Sequence, residues 1–259
     1  MMLCIDVGNS HIYGGVFAGK ELRLRFRHTS KMSTSDEFGI FLKSVLRENN
    51  CSPDAITQIA FCSVVPNIDY SLRSACLKYF GQDPFILQPG VKTGLKINYR
   101  NPLEVGADRI ANAIAAVHQF PQQPLIIIDF GTATTFCAVT SDKNYLGGAI
   151  IPGCRLSVEA LSTNTARLPS VEIIKCSDPI GRSTIESIQS GIYYSVKGAC
   201  KEIVSEINQR HFPKQKATVL ATGGFAVLFE QSDIFDILAP NLVLEGIRLA
   251  ALSNNPEWE

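Results

Sequence analysis

Two short stretches set a carboxylate beside a glycine at the end of an apolar run. Leu3-Cys4-Ile5-Asp6-Val7-Gly8-Asn9-Ser10 lies near the start of the chain, and Ile126-Ile127-Ile128-Asp129-Phe130-Gly131-Thr132-Ala133 repeats its pattern nearly half a chain later. A glycine turn presents backbone N–H groups to an approaching phosphate, and a neighbouring carboxylate repels that phosphate unless a cation lies between them. Asp6 and Asp129 therefore mark expected cation sites. Small hydroxyl and amide side chains at Asn9, Ser10, Thr132, Thr134 and Thr135 can donate to phosphate oxygens without blocking access. A single Asp-x-Gly is as readily a plain hairpin turn. Two at equivalent places imply paired phosphate turns and a cleft for a nucleoside triphosphate with its metal. A third stretch, Thr218-Val219-Leu220-Ala221-Thr222-Gly223-Gly224, reads as a buried strand ending where backbone can pack against a flat ligand, although strand-to-glycine turns are common.

Both acids need elements to hold them. Each Asp-x-Gly leads into a second apolar stretch, Ile12 to Phe17 and Thr135 to Val139, and then a third, Leu22 to Phe26 and Tyr145 to Ile151. Leu22, Leu24 and Phe26 alternate with Arg23, Arg25 and Arg27, the period of a half-buried strand. Helical spacing follows at Phe38, Phe41, Leu42, Val45 and Leu46 and again from Tyr70 to Phe80, with a buried strand from Ile59 to Val65 between them. The second half adds a long helix across Thr184 to Arg210 and a strand at Ala217 to Ala221. Alternation of this kind predicts two α/β lobes. The patch Phe120-Pro121-Gln122-Gln123-Pro124 marks the expected boundary, giving lobes 1–120 and 121–259.

Composition agrees with two modest cores: 46% of the 259 residues are hydrophobic and 19% charged. Lys+Arg and Asp+Glu balance at 24 each, which leaves no electrostatic footprint for nucleic acid or an anionic membrane, so an anionic ligand has to be held locally. The N-terminus does not read as a signal peptide, and no apolar run reaches membrane-spanning length. Eight cysteines are scattered without a C-x-x-C pair, as expected of buried thiols in a reducing cytoplasm. His11 follows the first turn, and His28, His118 and His211 form no cluster suggesting a metal site. The rival nucleotide signatures G-x-x-x-x-G-K-[ST] and strand-linked G-x-G-x-x-G are missing.

The turns together resemble the actin-like, sugar-kinase-like phosphotransferase superfamily. Within it, Gly94-Leu95-Lys96-Ile97-Asn98-Tyr99-Arg100-Asn101-Pro102 and Glu104-Val105-Gly106-Ala107-Asp108-Arg109-Ile110-Ala111-Asn112-Ala113, with Gly147-Gly148-Ala149-Ile150-Ile151-Pro152-Gly153 and the two Asp-x-Gly turns, closely resemble type III pantothenate kinase. The resemblance implies two lobes of the actin-like (ribonuclease H-like) type, each a mixed sheet flanked by helices, with the nucleotide cleft between them. It implies phosphorylation of pantothenate by ATP with Mg2+, dependence on a monovalent cation (K+ or NH4+), a homodimer, and neither nucleic-acid nor membrane partners.

Residue by residue, it implies that Asp6, Val7, Gly8, Asn9, Ser10, His11, Ile12, Tyr13 and Thr132 bind ATP, with Asp6 reaching magnesium through water. Asp129 is the implied monovalent-cation ligand. Tyr99, Gly106, Ala107, Asp108, Arg109 and Thr184 are the implied substrate contacts, and Asp108 is the implied base. Ser10 departs from a frequent threonine there, and either hydroxyl serves.

The residues carry plainer readings as well. Asp108 precedes an alanine-rich helical run and can be a simple first-turn acid, ionised at neutral pH with the help of the helix dipole. Tyr99 can be core packing, and Ser183 or Thr184 can be a helix cap. Two other functions compete: a kinase for a sugar or small alcohol, which would lack the Tyr99 and Gly106–Arg109 constellation, and a non-catalytic regulator, which should have lost Asp6, Asp108 or Asp129.

Overall fold

A computed structural model describes residues 1–258, which divide into two compact units. In the first, β1 (Met2–Val7), β2 (His11–Ala18) and β3 (Glu21–Thr29) form an antiparallel meander. The helix α1 (Ser35–Glu48) follows, then β4 (Gln58–Ser63), parallel to β1, then α2 (Pro66–Phe80) and β5 (Phe85–Leu87), parallel to β4. The sheet order is β3-β2-β1-β4-β5. Local sequence sets the ends of these helices. Thr34 and Glu37 close a capping box on α1, and Pro66 opens α2, which stops at Gly81 in the left-handed region, φ 65°.

The two faces of this sheet differ because strand side chains alternate. Leu3, Ile5 and Val7 of β1 join Ile59 and Phe61 of β4 in a core with Phe38, Leu42 and Leu46 of α1 and Ile68 and Leu72 of α2. Cys4 and Asp6 point the other way.

The second unit contains β6 (Lys96–Ile97), whereas α3 (Ala107–Gln119) is divided after Ala115. The meander β7 (Leu125–Phe130), β8 (Ala133–Val139) and β9 (Asn144–Pro152) leads into α4 (Cys154–Asn164) and the long α5 (Thr184–His211). Then β10 (Thr218–Thr222) pairs parallel with β7, and β11 (Ile237–Leu238) with β10. The order β11-β10-β7-β8-β9-β6, read from β9, repeats the topology of the first unit, and β6 adds one strand at the edge. Its core stacks Phe130 on Phe229 at 5.0 Å and Phe229 on Tyr193 at 5.2 Å between ring centroids.

The chain departs from a single division at residue 120. The last helix, α6 (Leu242–Asn254), belongs to the first unit, where it packs on β1, β4 and β5, and the short stretch Leu95–Tyr99 belongs to the second. The reason is α6's composition: Leu242, Leu244, Ile247, Ala250 and Ala251 are buried almost completely and need a sheet face to cover. All eight cysteines are free thiols. Cys4, Cys62 and Cys76 are buried in the first unit and Cys137, Cys154 and Cys200 in the second, with Cys51 and Cys176 partly exposed. Among the described residues no helix is long and apolar enough to cross a membrane.

Candidate active site

Asp6 occupies the last turn of β1 before the hairpin. Its register partners are Tyr13 on β2 and Cys62 on β4, so the three side chains share one face. The Cys62 thiol donates to Asp6 Oδ1 at 3.3 Å. Tyr13 lies under the Arg27 guanidinium, 5.1 Å from the ring centroid. The turn itself is pinned at both ends by Ser30, whose hydroxyl donates to the Gly8 carbonyl at 2.6 Å and whose N–H donates to the Ser10 carbonyl at 3.0 Å. The Gly8 N–H is spent on the His11 carbonyl at 3.0 Å. That glycine shapes the turn and has no amide to offer a phosphate. Val7 and Ile12 are core side chains, so any contact they make with a nucleotide goes through backbone, whereas Asn9 and His11 are exposed.

Asp108 stands in the first turn of α3 in the same unit, with Gly106 accepting from the Ile110 N–H at 3.2 Å. Its Oδ1 accepts from the Arg109 N–H at 2.8 Å and curls back over Gly106, where a Cβ would lie only 2.4 Å from that oxygen. The glycine is what allows the carboxylate this position. Desolvation raises the Asp108 pKa above the ordinary carboxylate value, opposed by the Arg109 N–H and guanidinium. The helix dipole was expected to favour the ionised carboxylate; burial acts the other way and is the largest influence on its pKa. Arg109 itself is buried, and the negative charge of Asp108 is felt at Cys62.

In the second unit Asp129 repeats the placement of Asp6. It is the next-to-last residue of β7, with Thr135 on β8 and Thr222 on β10 as register partners. The Gly131 N–H is again used inside the turn, donating to the Ala133 carbonyl at 3.2 Å. Gly223, at φ +90°, lies against Asp129, and a Cβ there would come within 2.4 Å of Oδ1. Thr132 follows in the turn, its carbonyl accepting from the Gly153 N–H at 3.1 Å. Thr134 points to the opposite face, buried, its Oγ1 without a hydrogen-bond partner.

Tyr99 lies over Gly147, φ +109°, where a Cβ would sit 3.1 Å from its ring. At the start of α5 it is the Ser183 side chain that caps, accepting from the Glu186 N–H at 3.2 Å. Thr184 is left to line a groove of about 700 Å3 with Leu161 of α4 and Ile188 and Gly191 of α5. Cys62 and Ser30 are the residues that motif spacing did not single out. A cysteine in an apolar strand and a serine after a strand look alike in thousands of chains, and only the register of β1 with β4 and the return of β3 bring them to Asp6 and its turn.

The donor set fits small hard cations. Among the described residues no cluster of three or more His, Cys, Asp or Glu could cage a metal. Magnesium needs no such cage, being held commonly by one or two carboxylates with water and substrate phosphates. Around Asp129 the glycines let backbone come close to the carboxylate: a Cβ on Gly131 would lie 3.5 Å from Oδ1 and one on Gly223 only 2.4 Å.

Two sheets of one topology, each with an acid closing its first strand, define the class: the fold of the sugar-kinase and actin-like ATPase superfamily. Solved structures agree, among them a protein of Sinorhizobium meliloti described as a 2-dehydro-3-deoxygalactonokinase, with TM-score 0.56 at 12% identity over 99% of this chain and 97% of that one. A Campylobacter jejuni structure described as a Baf family transcriptional activator reaches TM-score 0.61 at 18% identity, over 98% and 99% of the two chains.

The type III pantothenate kinase family model matches residues 2–206. A type III pantothenate kinase of Legionella pneumophila is 71% identical over 98% of this chain and 99% of its own, and one of Francisella tularensis 47% identical over 96% and 98%. The chain belongs to the type III pantothenate kinase family.

Proposed function

We propose that this chain transfers the γ-phosphoryl group of ATP to the primary hydroxyl of pantothenate, giving 4′-phosphopantothenate and ADP, the first step of coenzyme A synthesis. The observation that carries the reading is the 71% identity to a type III pantothenate kinase along nearly the whole of both chains.

The hydroxyl oxygen attacks the γ-phosphorus while the bond to the ADP oxygen breaks, and the hydroxyl proton passes to the Asp108 carboxylate. Phosphoryl transfer depends mostly on positioning and charge stabilisation, so Asp108 chiefly orients the hydroxyl and takes its proton late. Gly106, Ala107, Arg109 and Tyr99 bind pantothenate. The turn from Asp6 to Tyr13 and Thr132 bind ATP, and Asp6 is the residue that would hold magnesium. Magnesium and a monovalent cation, potassium or ammonium, supply charge compensation for the phosphates, the latter at Asp129.

A homodimer in which Thr184 completes the partner's substrate site is supported by apolar residues left exposed in this unit, Ile185 beside it and Ile150 and Leu156 on β9 and α4. Free thiols support a reducing cytoplasm, and the balanced charge gives no support to nucleic-acid or membrane partners.

The test is ADP release with pantothenate and with a hexose panel, each in potassium and in sodium buffer. Potassium-dependent turnover with pantothenate alone is expected. Turnover only with a sugar overturns the substrate, and none with either reopens a regulatory role. Asp129→Ala should weaken activation by potassium, and an unchanged concentration dependence removes Asp129 from the cation site.

A further inference from the structure

Cys62 is completely buried at the end of β4, yet it is not surrounded by apolar groups alone. Parallel pairing sets it beside Asp6, and its Sγ lies 3.3 Å from Asp6 Oδ1, on the side where the thiol is the donor. A thiol is a weak donor to a neutral acceptor, and an ionised one strengthens the bond. The second unit places a buried hydroxyl, Thr222, at the matching register position beside Asp129. Both copies of the fold thus carry a short donor-bearing side chain on the strand next to the acid.

We propose that Cys62 is a positioning residue: its S–H fixes the rotation of the Asp6 carboxylate, so that Asp6 meets the hydrated magnesium of the nucleotide in one orientation. This rests on the assignment of Asp6 to magnesium nucleotide made above. A cysteine that only filled the core would be replaceable by valine.

The experiment is calorimetric titration of ATP into the wild-type chain and the Cys62→Ser, Cys62→Val and Cys62→Ala variants, with magnesium and with EDTA, and without pantothenate. Melting curves check that each variant is folded. Cys62→Val and Cys62→Ala are expected to bind magnesium ATP about tenfold more weakly, the scale of one hydrogen bond to a charged group, with metal-free ATP nearly unaffected. Cys62→Ser keeps a donor and should stay close to wild type. In an Asp6→Asn background, Cys62→Val should add no further loss.

The proposal is overturned if Cys62→Val binds magnesium ATP like wild type, if the loss is the same in EDTA, or if serine is as poor as valine. Should valine fail to fold, the alanine and serine pair decides in the same way. A wild-type chain that binds ATP equally with and without magnesium overturns the Asp6 assignment and this proposal with it. A wild-type chain that binds magnesium ATP but leaves pantothenate unphosphorylated overturns the substrate reading and leaves the Cys62 comparison intact.

Discussion

Asp108 shows how a buried carboxyl taxes the fold that holds it. Its raised pKa means that the folded chain binds this proton more tightly than the unfolded one. Below the unfolded value of 3.8 both states are protonated and the contribution to stability is fully present; as pH rises through the folded value the carboxylate ionises in a desolvated place and the contribution is lost. Asp108→Asn, which cannot ionise, is therefore expected to melt above wild type at pH 7, with the gap closing below pH 3.8. The same variant should lower turnover at least about tenfold while leaving ATP affinity nearly intact. Unchanged turnover removes Asp108 from the role of base. The acid limb of kcat/KM in wild type should fall at a higher pH than an exposed aspartate would give.

At the residue scale the candidate site could be read from the sequence to an uneven degree. Asp6, Asp129 and Asp108 announce themselves because chemistry ties each to a neighbouring glycine: Gly8, Gly131 and Gly106 lie within two residues, and local spacing survives in a linear string. Cys62 does not, since it is 56 residues from Asp6 and meets it only through strand pairing. The pinning of the first turn by Ser30 is hidden for the same reason.

At the scale of elements, α3 and α6 touch where neither has a side chain to spare. A Cβ on Gly246 would lie 1.8 Å from the Ala111 carbonyl oxygen, so two helix backbones approach closely there. Gly246→Ala should therefore cost more than the ~1–3 kcal/mol usual for overpacking, because backbone rather than a flexible side chain must yield. Ser183→Ala removes only the cap of α5 and should cost about 1 kcal/mol. Urea denaturation ranks the two, and equal midpoints would refute the argument.

β3 was readable from its period of two and α1 from apolar residues spaced at three and four. The strand expected from Ile59 to Val65 ends at Ser63, since Pro66 already starts a helix. By contrast α6 is buried on nearly every side, including its Arg248, which is paired with Glu245 at 2.6 Å, so its sequence has no polar face to betray the helical period.

On the scale of the whole molecule, the two units repeat one topology and each carries candidate site residues: Asp6 and Asp108 in the first, Asp129 and Thr132 in the second. The repeat was visible because the first strand and turn of each unit keep the same pattern, an apolar run followed by Asp-x-Gly and small side chains. The chain path was less visible, because the apolar residues of α6 show that it needs a sheet face to cover but not which sheet supplies it. Sedimentation equilibrium is expected to find a dimer, weakened by Ile185→Glu. A monomer at micromolar concentration would instead require Thr184 to act within its own chain or not at all.

The distribution of the free cysteines gives these units separate clocks. Each has three thiols sealed in its interior and one partly reachable, Cys51 in the first and Cys176 in the second. An alkylating reagent applied to the native chain therefore reaches Cys51 and Cys176 first. The sealed sulfurs become reactive only when their own unit opens. Peptide-resolved labelling in rising denaturant would then show whether Cys4, Cys62 and Cys76 are unmasked together with Cys137, Cys154 and Cys200, as in a single cooperative melt, or whether one half of the chain opens while the other stays closed.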